Sequence, residues 1–350
     1  VMFSIKGDST NYGQNTSGKF TTVTGKGLWN SWTRNFKTPV LALFDLLDNA
    51  VDASLVNSEE SYEGIISIEP DNFLSKSDLT GFTLTNNSVH RIKELHNVLE
   101  VYSSQKGNDC DSIGENGVGL KQGCATLSDL SFVLSRNQTE FQIGVIAKCL
   151  QKEEGCYLPA FELNHNKTAC SLKEEMTRIF NVTHKHVGEC VAQYGRGNLS
   201  LGIELLLRHF VDMTNGKHWE NKKHVFRVII HNVKHSASEL GHTSKVFKNS
   251  KEQVYGLLQN LRSSLPCHFL HTPDTLNIIV DNEKISFFYW QKRLVELSVF
   301  YVKIDNKHPY MDAYDWKNPS NGYFMRVFCG FDPYRAAESC KLYIYSRKSG

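Results

Sequence analysis

The segment Asp45-Leu46-Leu47-Asp48-Asn49-Ala50-Val51-Asp52-Ala53 constrains this chain more than any other. At ~100° per residue, a helix here places Asp45, Asp48, Asn49 and Asp52 on one narrow face. Phe44, Leu47 and Val51 fall opposite, with Leu43, Leu46 and Ala50 beside them. That apolar arc is too wide for an ordinary surface helix. Three carboxylates and an amide then sit at the margin of a buried face, where they are costly unless neutralised. A hydrated divalent cation and a phosphate chain would neutralise them. A solvated helix face is the plainer alternative.

A second motif supplies what such a face needs. Gly114-x-x-Gly117-x-Gly119-x-Lys121 spaces three glycines ahead of a lysine. Glycines let successive backbone N–H groups aim at an anion, and a following helix start adds its positive end. Lys121 can reach a terminal phosphate as a point charge. The spacing is not that of the Gly-x4-Gly-Lys-Ser/Thr loop, because Lys121 follows the last glycine by two and Gln122 comes next. The dinucleotide fingerprint also fails, since no suitable strand leads directly into it.

The other elements are legible from periodicity and turn residues. Residues 1–30 are polar and rich in Gly, Thr, Ser and Asn, which suits an arm or lid. A helix is expected over 38–55 and strands over 65–68 and 82–85, the latter ending in the polar turn Asn86-Asn87-Ser88. Helices are expected over 92–102 and 123–127, then a hairpin of 130–134 with 140–147 around 136–138. Further helices fall at 171–180 and 202–210, and a strand at 225–230. The stretch 236–265 reads as loop then helix. A hairpin of 275–280 with 285–289 turns across 281–283, and strands close the chain at 324–328 and 342–345. Few strands are flanked by helices, which favours a mixed α/β sandwich over a doubly wound parallel sheet.

Length and composition fix the class. The chain has 350 residues, enough for two domains. A net charge of +2 without a dense Lys/Arg block gives no signature of nucleic-acid binding, and the basic stretches 218–227 and 245–251 read as solvated loops. Nine cysteines without a Cys-x-x-Cys pair argue against a disulfide framework and a zinc site, and for a reducing compartment. The Asn-x-Ser/Thr triplets at Asn15, Asn137 and Asn181 read as chance matches. No apolar run approaches the ~20 residues of a membrane span, so no membrane partner is expected. Val1 is not an initiator and Gly350 follows a strand, so a fragment of a longer protein is expected. His184 and His186 lack helical metal spacing, and no Gly-x-Ser-x-Gly elbow occurs.

Taken in order, the acid-striped helix, the strand with its polar turn, Ser104-Gln105-Lys106 and Gly114-Glu115-Asn116-Gly117-Val118-Gly119-Leu120-Lys121 resemble the GHKL superfamily. That group holds gyrase B, histidine kinases, the ninety-kilodalton heat-shock chaperone, MutL and the MORC proteins. The MORC branch is the most similar: Asp45-Leu46-Leu47-Asp48-Asn49-Ala50 matches its Glu-Leu-Ile-Asp-Asn-Ala, and Ser104-Gln105-Lys106 its Ser-Asp-Lys. More weakly, 228–233, 276–281 and 342–345 with Arg347 resemble later MORC strands. The specific motifs cover about residues 40–125.

The resemblance implies an α+β fold, a two-layer α/β sandwich of the Bergerat type, followed by a smaller transducer-like (S5-like) α/β domain. Its boundaries would be an arm at 1–37, the ATP-binding domain at 38–235 and the transducer-like domain at 236–350. It implies ATP and Mg²⁺ as cofactors, slow ATP hydrolysis, and a homodimer that closes on nucleotide. The setting would be DNA or chromatin, in nucleus or cytoplasm. By carry-over Asn49 ligates Mg²⁺, Asp45 is the general base, and Asp48, Asp52, Asn86, Ser104 and Lys106 line the nucleotide. Gly114, Gly117, Val118, Gly119, Leu120 and Lys121 hold its phosphates.

Three departures bear on turnover. Asp45 replaces a glutamate and is one methylene shorter, a displacement of roughly 1.5 Å that can cost about a hundredfold in rate. The adenine-reading Asp-x-Gly-x-Gly turn is Asn86-Asn87-Ser88-Val89-His90, so Asn86 accepts without charge and both glycines are gone. The Gly-Thr that precedes the Val228 strand is Val225-Phe226. These departures support an alternative, a non-catalytic nucleotide-binding or scaffold module. A histidine kinase is disfavoured, because no phosphoacceptor helix is visible upstream.

Overall fold

The computed structural model describes residues 24–54, 63–73, 79–88, 92–101, 118–138, 140–164, 169–234, 250–267, 275–287, 295–303 and 324–331. They fall into two compact units. The first takes in the residues up to Ser263 with 275–285, and the second 264–267, 286–287, 295–303 and 324–331.

The first unit is built on eight strands: β1 Gly64–Pro70, β2 Phe82–Asn87, β3 Ser128–Arg136, β4 Glu140–Ala147, β5 Ala160–Asn164, β6 Val225–Val233, β7 Leu276–Val280 and β8 Glu283–Lys284. Their order across the sheet is β5-β4-β3-β6-β2-β1-β7-β8. All neighbours are antiparallel except β1 and β7, where Ile65 lies beside Asn277 in a parallel pair. The mixed α/β class is the one the sequence implies. Strand β7, expected in a separate second domain, belongs to this sheet instead. Its hairpin to β8 is tight because Asp281 and Asn282 both adopt positive φ, as a two-residue primed turn requires. The returning strand is Glu283–Lys284, earlier than the 285–289 expected; residues 285–287 are not strand, and 288–289 lie outside the described residues.

Alternation along the strands separates two faces. One carries Phe132, Leu134, Phe141, Ile143, Val145 and Ile229. It packs against α5 Ala169–Arg178, α6 Lys185–Tyr194 and α7 Leu199–Asn215 through Met176, Val187, Val191, Ile203, Leu206 and Phe210. Helix α6 and strand β5 fall where the sequence pattern marks only loop. The other face carries α2 Pro39–Ser54, α3 Leu95–Leu99 and α4 Gly119–Leu127, and Gly144 of β4 lies against Leu95 and Leu99. Helix α3 is five residues long, shorter than the 92–102 expected.

The polar arm expected over 1–37 contains a buried helix, α1 Gly25–Trp32. Thr24 caps it, its Oγ1 accepting from the Gly27 N–H at 2.9 Å. Trp29 and Trp32 are 2% and 1% exposed, which removes this segment from any arm. Two tryptophans outweigh the surrounding glycines and serines, because their area demands burial. Helix α8 Ser250–Ser264 also belongs to the first unit, up to Ser263.

A charged network lies beneath α6 and α7, buried except at Asp212. The Tyr194 hydroxyl donates to Asp71 Oδ2 at 2.7 Å and lies 2.8 Å from His209 Nε2. Arg227 of β6 reaches His209 Nδ1 at 3.2 Å, Thr85 Oγ1 at 2.8 Å and Asp212 Oδ2 at 2.6 Å. Burial raises the Asp71 carboxyl above the usual range and lowers His209 well below it.

In the second unit, β9 Val295–Lys303 and β10 Phe324–Phe331 form an antiparallel pair, with a bulge between Cys329 and Phe331. Strand β10 extends the one expected over 324–328, and β9 is a strand that the sequence pattern does not mark. The strand expected over 342–345 lies outside the described residues.

Candidate functional site

Helix α2 matches the span expected from its pattern, and its ends are fixed locally. Thr38 Oγ1 accepts from the Leu41 N–H at 3.4 Å, and Pro39 occupies the first turn, where its missing N–H costs nothing. At the other end, the Ser54 hydroxyl donates to the Asn87 carbonyl at 3.0 Å and ties the helix to the end of β2. Leu43, Leu46, Leu47, Ala50 and Val51 are buried, whereas Asp45, Asp48, Asn49 and Asp52 are half-buried along one side.

Within that stripe the Asn49 Nδ2 donates to the Asp45 carbonyl at 2.7 Å, which directs the amide's oxygen away from its own helix. The Asp45 carboxyl is pushed up to about 6, first by burial and then by the charge of Asp48. Its Oδ2 is buried with no hydrogen-bond partner among the described residues. A buried orphan acceptor beside an oriented amide oxygen is a donor set suited to a hard cation or to a proton.

The end of the glycine-rich loop arrives at this point. A Cβ on Gly119 would stand 2.5 Å from Asp45 Oδ2 and 3.2 Å from Asn49 Nδ2. One turn later, a Cβ on Gly123 would meet Leu46 at 2.8 Å and the Ala42 carbonyl at 3.2 Å. The two glycines thus let α4 lie directly on α2. Helix α4 begins at Gly119 rather than at 123 as expected, with Val118 at its cap position and Leu120 half-buried in its first turn. Its positive end faces the acid stripe.

Lys121 is placed differently from its expected role. It is 1% exposed, and its Nζ donates to the carbonyls of Val98 and Glu100 at 2.5 and 2.9 Å. Those groups close the C-terminal end of α3, a favourable site for a cation. Burial lowers the ammonium to about 8. In this conformation its charge satisfies the protein's own carbonyls.

The polar turn expected at Asn86-Asn87-Ser88 is instead the end of β2. Asn86 and Asn87 are paired strand residues, each 1% exposed, opposite Phe226 and Val225 of β6. Asn87 satisfies neighbouring backbone, its Oδ1 accepting from the Ile65 N–H at 2.7 Å and its Nδ2 donating to the Glu63 carbonyl at 2.8 Å. Asn86 Nδ2 donates to the Asn87 carbonyl at 3.0 Å. With their side chains so partnered, both asparagines are accommodated inside the sheet.

Phe226 therefore does lie directly across from Asn86. The same cross-strand row continues to Ser135 and Gln142, both buried, on the face that carries α2 and α4. Gln142 Nε2 donates to the Lys93 carbonyl at 2.8 Å, while its Oε1 has no partner among the described residues. Sequence reading missed Ser135 and Gln142. The signal was there, as polar residues recurring at period two inside apolar strands.

Ser104, Lys106, Gly114 and Gly117 lie outside the described residues. No cluster of three His, Cys, Asp or Glu side chains able to hold a metal occurs among the described residues. No helix among them is long and apolar enough to cross a membrane.

No family model matches the chain, and no curated protein does. Among solved structures, the ATPase region of Saccharomyces cerevisiae topoisomerase II aligns at 10% identity and a TM-score of 0.36, covering 76% of this chain and 55% of that one. The same region bound to ICRF-187 (dexrazoxane) aligns at 9% identity and a TM-score of 0.36, covering 76% and 56%. The chain thus spans little more than half of those chains, and the likeness is too slight to carry an argument.

Proposed function

We propose that this chain is a GHKL-type module, most like the MORC branch, that binds ATP with Mg²⁺ on the stripe of α2. The observation that carries the proposal is the approach of Gly119 to Asp45 and Asn49, which brings two motifs more than 60 residues apart in sequence to one place. Asn49 would hold the cation through its amide oxygen, and the start of α4 would face the phosphates. Bound Mg²⁺ supplies charge neutralisation for the phosphate chain. Asp45, raised toward neutrality, accepts a proton from an attacking water. Asp48 and Asp52 add negative potential that favours the cation.

Calorimetry of the whole chain with ATP, with and without Mg²⁺, tests this. Binding that requires Mg²⁺ and is lost in Asn49→Ala is expected. Equal affinity with and without the cation removes the metal assignment.

A second reading, binding without turnover, is favoured by the short Asp45 side chain, by the commitment of Lys121 to backbone carbonyls and by Phe226 beside Asn86. Steady-state ATPase assay separates the two: turnover abolished by Asp45→Ala supports hydrolysis. Nucleotide-driven dimerisation, a transducer-like C-terminal part, and a DNA- or chromatin-associated role in nucleus or cytoplasm rest on the sequence resemblance. Sedimentation with a non-hydrolysable ATP analogue tests the first of them.

A further inference from the structure

On elements other than α2, two cysteines touch. Cys149 lies in the short 3₁₀ turn Lys148–Leu150 that leaves β4, and Cys190 lies in the middle of α6. Their sulfurs are 3.4 Å apart. Cys149 is exposed to solvent, whereas Cys190 is 1% exposed and packed in the core. Neither takes part in the site on α2.

We propose that Cys149 and Cys190 form a reversible redox pair, in which hydrogen peroxide oxidises Cys149 and Cys190 resolves the product to a disulfide. The two sulfurs need to close by about 1.4 Å to reach bonding distance. The partition of roles follows from access. An oxidant can reach Cys149, and among the described residues Cys149 is the thiol in contact with Cys190. The hydrogen bond with Cys190 holds the Cys149 thiol below its ordinary value, which favours the nucleophilic thiolate, whereas Cys190 is raised by that partner and by burial.

In the first step the Cys149 thiolate attacks one peroxide oxygen. An S–O bond forms, the O–O bond breaks, and the leaving hydroxide takes up a proton as water. Cys149 becomes a sulfenic acid, oxidised by two electrons while the peroxide is reduced. In the second step Cys190 loses its proton and attacks the Cys149 sulfur, so the S–S bond forms as the S–O bond breaks and a second water departs. The product covalently joins the end of β4 to α6 across a sequence separation of 41 residues. Such a bond in a reducing compartment is transient and suits sensing.

The test treats the full chain with equimolar hydrogen peroxide, alkylates remaining thiols and maps peptides by mass spectrometry. The expected result is loss of two of the nine thiols, a Cys149–Cys190 linked peptide, and full reversal by dithiothreitol. Cys149→Ser should leave Cys190 alkylatable only after unfolding, and Cys190→Ala should leave Cys149 trapped by dimedone as sulfenic acid. Wild-type mapping needs no variant, so a misfolded Cys190→Ala does not spoil the test. Peroxide that leaves Cys149 and Cys190 unlinked, or that links Cys149 to a different cysteine, overturns the proposal.

Discussion

Asp45 and Gly119 are in such close register that a methyl group on the glycine would stand 2.5 Å from the carboxylate. Gly119→Ala must therefore move the Asp45 side chain, which is short but half-exposed, and so can shift at modest cost. The expected outcome is a drop in ATP affinity of about tenfold with little change in melting temperature. Gly123→Ala meets Leu46 and a backbone carbonyl instead, and is expected to destabilise by about 1–3 kcal/mol. Calorimetry and thermal melts on the two variants distinguish a site glycine from a packing glycine. An inverted result would show that α4 does not hold its position through these contacts.

The raised Asp45 carboxyl has a definite pH signature. Its folded value, about 6, lies above the ordinary 3.8, so folding favours the protonated form. Its contribution to stability is fully present below about pH 4 and is lost as pH rises through about 6. Asp45→Asn removes the penalty and is expected to stabilise the protein at pH 8 by up to about 2 kcal/mol, after discounting for the water the group retains. At pH 4 the gain should vanish. If the carboxylate is the base, the wild-type rate should rise through the same interval. Chemical denaturation of both forms at the two pH values is the check.

Lys121 is expected to matter for folding before it matters for nucleotide. Lys121→Ala strips donors from the Val98 and Glu100 carbonyls and opens a cavity, for a loss of about 2–4 kcal/mol. If the ammonium also swings to the terminal phosphate on binding, ATP should weaken more than ADP. Equal weakening of both assigns it a structural role alone. Denaturant titration and paired calorimetry separate the two effects.

Tyr194→Phe deletes one hydroxyl from the network beneath α6 and α7 and leaves Asp71 and His209 each short of a partner. The expected loss is about 2 kcal/mol, without an effect on nucleotide affinity. Arg227→Met abandons Asp212 and Thr85 as well, and should cost about 3–5 kcal/mol. Melting curves measure both losses. A neutral Tyr194→Phe would mean that water reaches the network.

What the sequence revealed well were features set by periodicity over several turns. Helix α2 and the β3–β4 hairpin repeat their patterns long enough to override single polar residues. What it concealed were contacts between distant segments. Asn86 and Asn87 read as a turn because their side chains suit turns, yet Asn87 is paid back by the backbone of β1, 22 residues upstream. Gly119 reads as loop because glycine weakens helices, yet close approach to α2 is what it and Gly123 provide. Lys121 is legible as a cation but not in its direction, which depends on where α3 ends. The strand β7 is legible from its own residues, but its parallel pairing with β1 has no local signature.

That last pairing shapes the protein's birth. Ile65 finds Asn277 only after roughly 210 more residues have left the ribosome, about 10–40 s at ordinary synthesis rates. Throughout that interval β1 offers an unsatisfied, largely apolar edge on the nascent chain. An edge left open for that long is a site where the growing chain can pair wrongly until β7 arrives to cover it.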